Sequence, residues 1–238
     1  MFDTYTNPYV VAHAEENVRA GFIRKTYAHL AAAILVFAGL EVILFSIPGI
    51  DQKVFGLLAT SPYSWLVVLG VFMAASWLAN KWAHSSTSLG MQYAGLALYV
   101  VIEALIFLPL LLLAADVAGD FSLIAKAGYI TLGLFAGLTF VAFSTKKDFS
   151  FLGGFLKVGF LIALGIIVVG ILFGFSLGLW FSGAMVLLAG GAILYSTSNI
   201  IHHYNTNQYV AASLGLFASV ALLFWYVLRI VMALAGRD

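Results

Sequence analysis

Apolar runs of 20 residues or more alternate along this chain with short polar breaks. The runs fall at roughly 27–48, 63–82, 90–114, 123–144, 152–173, 178–199 and 209–234. Each is long enough for an α-helix to cross the hydrocarbon layer, which takes about 20 mostly apolar residues. A barrel strand would be about half as long and would alternate in polarity. These runs are apolar on every face, so helices that satisfy their own backbone in lipid are expected.

The breaks collect turn formers and charges: Pro48-Gly49-Ile50-Asp51, His84-Ser85-Ser86-Thr87-Ser88, residues 116–120, Lys146-Lys147-Asp148 and residues 202–207. The weakest break, at 174–178, carries no charge. Six spans with one long bent hairpin there is the competing count. The expected organisation is an amino-terminal tail over 1–26, a seven-helix domain over 27–235 and a short tail over 236–238.

Composition agrees. Hydrophobic residues make up 63% of the 238 and charged residues 9%, against about 25% charged in soluble domains. One soluble core could not hide so much apolar surface, which leaves the lipid bilayer as the main partner. With net charge +1 there is no basic patch for nucleic acid. The absence of cysteine removes disulfides and thiol chemistry. Residues 1–20 hold Asp3, Glu15, Glu16 and Arg19 and no apolar signal-peptide core, so the first span is expected to direct insertion.

Arg19, Arg24, Lys25, Lys81, Lys146, Lys147 and Lys157 fall on one side of the seven-span arrangement, and Lys53, Lys126 and Arg237 on the other. The excess marks the side carrying the amino terminus as cytoplasmic. Lys157 and Lys126 lie near enough to the faces to snorkel.

Ionisable residues inside spans cost roughly 2.5–3.5 kcal/mol each and need a reason. Glu41, Glu103 and Arg229 are the three that stand out. Pairing of Arg229 with Glu41, Glu103 or both is expected, as a buried relay or as a static pair that fixes helix register. Pro109 would free a carbonyl near Leu105 and kink the third span. Gly133 with Gly137, and Gly170 with Gly174, have the spacing of close helix contacts, though glycine is common in membrane helices anyway. His202 and His203, at the end of span six, are candidate pH-sensitive groups. Their adjacency makes their side chains diverge, which disfavours a metal site. Ser182-Gly183 lacks a nucleophile-elbow pattern, no HExxH motif occurs, and His29 is the sole histidine near a span interior. The chain is expected to be non-enzymatic and without cofactor.

Three stretches together resemble the Bax inhibitor-1/YccA family of multi-pass membrane proteins. They are Val18-Arg19-Ala20-Gly21-Phe22-Ile23-Arg24-Lys25-Thr26-Tyr27, Thr145-Lys146-Lys147-Asp148-Phe149-Ser150-Phe151-Leu152-Gly153-Gly154 and Gly191-Ala192-Ile193-Leu194-Tyr195-Ser196-Thr197-Ser198-Asn199-Ile200-Ile201-His202. The second is most like the inner loop of the YccA branch, and the closing Gly236-Arg237-Asp238 also looks YccA-like. The resemblance implies seven helices with the last surrounded by the others, in a bacterial plasma membrane. It implies one of two activities: modulation of the membrane-bound protease FtsH, or a pH-sensitive calcium leak. The leak relies on two aspartates that share a proton. Those positions read Ser196 and either Ser219 or Ala218 here. A serine does not titrate, so the resemblance favours the protease modulator, with residues 1–25 as the handle. A Ca2+ or other cation leak lined by Glu41, Glu103, Ser196, Asn199 and Ser219 is the alternative.

Overall fold

The computed structural model describes residues 9–85, 87–145 and 147–236. The sequence readings at Asp3, Lys146, Arg237 and Asp238 lie outside the described residues. Helices are α1 (Glu16–Phe45), α2 (Ile50–Ala59), α3 (Ser64–Ala83), α4 (Leu89–Ala118), α5 (Ser122–Thr145), α6 (Leu152–Phe173), α7 (Gly178–His202) and α8 (Tyr209–Ala235). All but α2 are long and apolar enough to cross a membrane, which makes seven spans. The weak break at 174–178 is a true turn. Gly174 and Gly178 both take the left-handed backbone (φ 71° and 65°) that other residues avoid, and this ends α6 before α7 begins.

Two features depart from the expected boundaries. The first helix begins at Glu16 rather than Tyr27. At 1.5 Å per residue its 30 residues extend about 45 Å, well beyond the hydrocarbon thickness. The short α2 was not expected. It has no buried residue and lies between the ends of α1 and α3.

The bundle is arranged around α8, which packs against α1, α3, α4, α5 and α7. Its first turns are buried on every side, with Val210, Ala211, Ala212, Ser213 and Leu214 all fully buried. α4 is as enclosed as α8, whereas α6 lies outside, against α7 and lightly against α3. Large apolar side chains point outward, with Trp180 94% exposed and Phe173 78%. That is the inverse of a water-soluble surface and fits lipid.

Of the glycines with GxxxG spacing only Gly170 is closely packed, against Leu177 of the following turn, and the tightest helix approaches occur at other glycines. Gly133 and Gly137 face open space. A Cβ on Gly95 would lie 2.5 Å from the Ala79 carbonyl and the Ala83 nitrogen, so α3 and α4 touch backbone to backbone there. Gly153 similarly receives the Tyr195 ring of α7.

Candidate functional site

The centre of the site is a pair of hydroxyls where α7 meets α8. Ser196 Oγ lies 3.3 Å from Ser219 Oγ. Ser219 donates to the Gly215 carbonyl at 2.9 Å, one turn back on its own helix. Its single proton is then used, so Ser196 is the donor to Ser219. Of the two alignments left open by the sequence, the structure pairs Ser196 with Ser219 rather than with Ala218. The pair has no titratable proton near neutrality.

A cavity of about 610 Å³ descends to Ser219 from the face opposite the amino terminus. It lies between α3 and α6 on one side and α4, α7 and α8 on the other. Its walls mix aromatic side chains, including Trp65, Phe72, Phe160, Trp225 and Tyr226, with aliphatic ones such as Leu69, Ile106 and Leu222. Glu103 reaches its floor from α4 and is only 5% exposed, with the Tyr99 ring one turn before it also lining the cavity. Arg229 lines the same cavity nearer the opposite face.

The expected pairing of Arg229 with a carboxylate does not form: among the described residues neither Glu41 nor Glu103 makes an ion pair with it. The geometry explains this. α4 and α8 run parallel, and the Phe107 and Trp225 rings meet at 5.0 Å. Glu103 is one turn before Phe107 and Arg229 one turn after Trp225. The two positions are therefore offset by roughly 12 Å along the axis. Glu41 does not line the cavity. It is 7% exposed, and neither carboxylate oxygen has a hydrogen-bond partner.

On the amino-terminal face the chain is tied down at two places. The first centres on Asp148, a residue to which sequence reasoning gave no role. Its Oδ1 accepts from the Ser150 N–H at 2.8 Å and from Ser198 Oγ at 3.2 Å, and its Oδ2 lies 2.9 Å from His203 Nε2. Ser198 Oγ in turn accepts the Phe149 N–H at 2.8 Å. The Ser150 backbone N–H, followed by the Ser150 and His203 side chains, holds the Asp148 carboxyl at about 2, below the usual carboxylate range. The loop between α5 and α6 is thus fastened to the end of α7. Of the two candidate histidines, His203 joins this arrangement. His202 makes no hydrogen bond to Asp148; its ring is tilted against that of His203, centroids 6.1 Å apart, and its Nε2 is buried without a partner.

The second tie joins the amino-terminal segment to the α7–α8 loop. The Val11 N–H donates to the Tyr204 carbonyl at 3.0 Å and the Thr206 N–H to the Tyr9 carbonyl at 2.9 Å. Val11 is fully buried beneath them. Asn199 lines a polar pocket of about 370 Å³ on this face, with Tyr195, His203 and Gln208. Ser196 lines neither, but on α7 it stands between Ala192 of the cavity and Asn199 of this pocket. Ser219, Glu103 and Arg229 are therefore brought to one cavity, Asn199 and His203 to another, and Glu41 to neither. No group of three or more His, Cys, Asp or Glu that could hold a metal occurs among the described residues.

A family model described as inhibitor of apoptosis-promoting Bax1 matches residues 19–237. The chain is 30% identical to Bax inhibitor 1 of Schizosaccharomyces pombe, across 99% of this chain and 85% of that protein. It is 41% identical to Escherichia coli K12 "Modulator of FtsH protease YccA" over 96 residues, 40% of this chain and 43% of that one. The same stretch matches equally a protein of another E. coli strain named "Inner membrane protein YccA". Protein lifeguard 4 of Mus musculus is 25% identical across 94% of this chain and 89% of its own length.

Proposed function

The chain belongs to the Bax inhibitor-1 family, and from that premise we propose that it modulates a membrane-bound protease of the FtsH type. It does so through contacts at its amino-terminal face, which in this reading is the cytoplasmic side, as the lysine and arginine bias supports. The observation that carries this reading is the fastening of the 147–151 loop to α7 through Asp148. That loop resembles the one in the YccA branch, and the anchoring gives a partner a fixed surface to grip. The serine pair supports it as well, because no shared proton is left to gate a pore at that position.

The amino-terminal segment is the handle in this reading, but residues from Tyr9 onward are already held by the α7–α8 loop. The informative deletion is therefore of residues 2–8, which leaves that tie intact. Affinity capture of the intact protein from membranes should recover the protease. Asp148→Ala should reduce recovery, and the deletion should slow turnover of the protein by the protease. No recovery with the unaltered chain would refute the proposal.

A second reading, a cation leak, is favoured by the two cavities that approach the serine pair from opposite faces. It would use Glu103, Ser219, Ser196 and Asn199, but not Glu41. Calcium flux into liposomes that Glu103→Gln abolishes would support it. Flux no greater than in empty vesicles between pH 5 and 8 would remove it.

A further inference from the structure

The cavity beneath α3 and α6 combines four properties that the modulator reading does not use. Its volume, about 610 Å³, is that of a pocket for a drug-sized molecule. Aromatic rings from four helices, Phe72, Tyr99, Phe160, Trp225 and Tyr226 among them, share its walls with aliphatic side chains. One carboxylate, Glu103, is buried at its floor. One guanidinium, Arg229, lines it about two turns nearer the opposite face, unpaired with that carboxylate.

We propose that this cavity binds a hydrophobic organic monocation, with its ammonium or phosphonium centre at the Glu103 carboxylate and its apolar groups against the aromatic walls. Ring faces attract a cation, most strongly when it is stripped of water, and a buried carboxylate supplies the opposite charge. A bare calcium ion is a poor occupant, since it takes six to eight oxygen ligands and the cavity presents a single carboxylate in a mostly apolar lining. An acyl chain is equally ill-matched, because its end would lie against Glu103, Tyr99 and Ser219. Arg229 restricts the ligand to one positive charge by repelling a second near the mouth.

The test uses two ions of matching size and shape but opposite charge, tetraphenylphosphonium and tetraphenylborate. Each is titrated into the purified full-length protein in nanodiscs, with quenching of Trp65 and Trp225 fluorescence and equilibrium dialysis as readouts. The phosphonium should bind saturably, one per chain, and the borate should not compete. Glu103→Gln should weaken phosphonium binding about thirtyfold or more. Arg229→Gln should strengthen it about five- to tenfold, the effect of a unit charge placed at the roughly 12 Å offset of the two positions, at an effective dielectric constant of about 20. A merely structural role for these residues would not move affinity in opposite directions. Equal binding of both ions, an affinity unchanged by Glu103→Gln, or weaker binding on Arg229→Gln would overturn the proposal. Should Glu103→Gln fail to fold, the two-ion comparison on the unaltered protein decides alone, and a preference for the borate overturns it.

Discussion

Ser198→Ala should unfasten the 147–151 loop without disturbing the bundle. Ser198 is fully buried, and its hydroxyl links two groups. It accepts the Phe149 N–H at 2.8 Å and donates to Asp148 at 3.2 Å. Each such bond has a net value of about 1 kcal/mol, and the half-exposed Asp148 adds no more than that. The loss of both is about 2 kcal/mol, a factor of about 30 in the equilibrium between docked and free loop. Hydrogen exchange followed by mass spectrometry in nanodiscs reads this directly. Amides of residues 147–151 should exchange about 30 times faster, while those of α8 stay unchanged. Unaltered exchange in that peptide would refute the view that Ser198 and Asp148 hold the loop.

Other consequences follow from the same geometry. Asp148 is held at about 2, below its unfolded value of about 3.9. Its contribution to docking is therefore complete above pH 4 and lost as pH falls towards 2. Pepsin cleavage of the loop should rise over that interval, whereas Asp148→Asn should be cut readily already at pH 4; the same pH dependence in both would contradict this. Gly95→Ala should lower thermal stability by 1–3 kcal/mol or more, because its Cβ would meet backbone at 2.5 Å; an unchanged melting temperature would show that α3 and α4 are further apart. Glu41→Met should raise the melting temperature, since an unpartnered buried carboxylate is exchanged for an apolar group of similar size. A fall would mean that Glu41 has a stabilising partner.

Six of the seven spans were legible in the hydropathy to within a few residues, because lipid demands long uninterrupted apolar helices. The start of α1 was not. Residues 16–26 carry charges that end a hydropathy window but do not end a helix, and the helix continues past the membrane boundary. The short α2 escaped because ten residues with no buried face leave no pattern beyond their own turn. At the site, the opposed serines were legible through resemblance alone. Asp148 and His203 are 55 positions apart, and only the packing of the α5–α6 loop onto α7 joins them. Arg229 was assigned a carboxylate partner on the energetic cost of its position. The structure meets that cost differently, with a cavity wall against which the side chain is half-buried.

In the proposed reading this bundle modulates a membrane protease through its amino-terminal face. The most direct measurement is the degradation rate of a membrane substrate by purified FtsH-type protease in proteoliposomes, with and without this protein at equal stoichiometry. Slower degradation is expected in its presence, with Asp148→Ala restoring most of the original rate. Identical rates with and without the unaltered protein would contradict it.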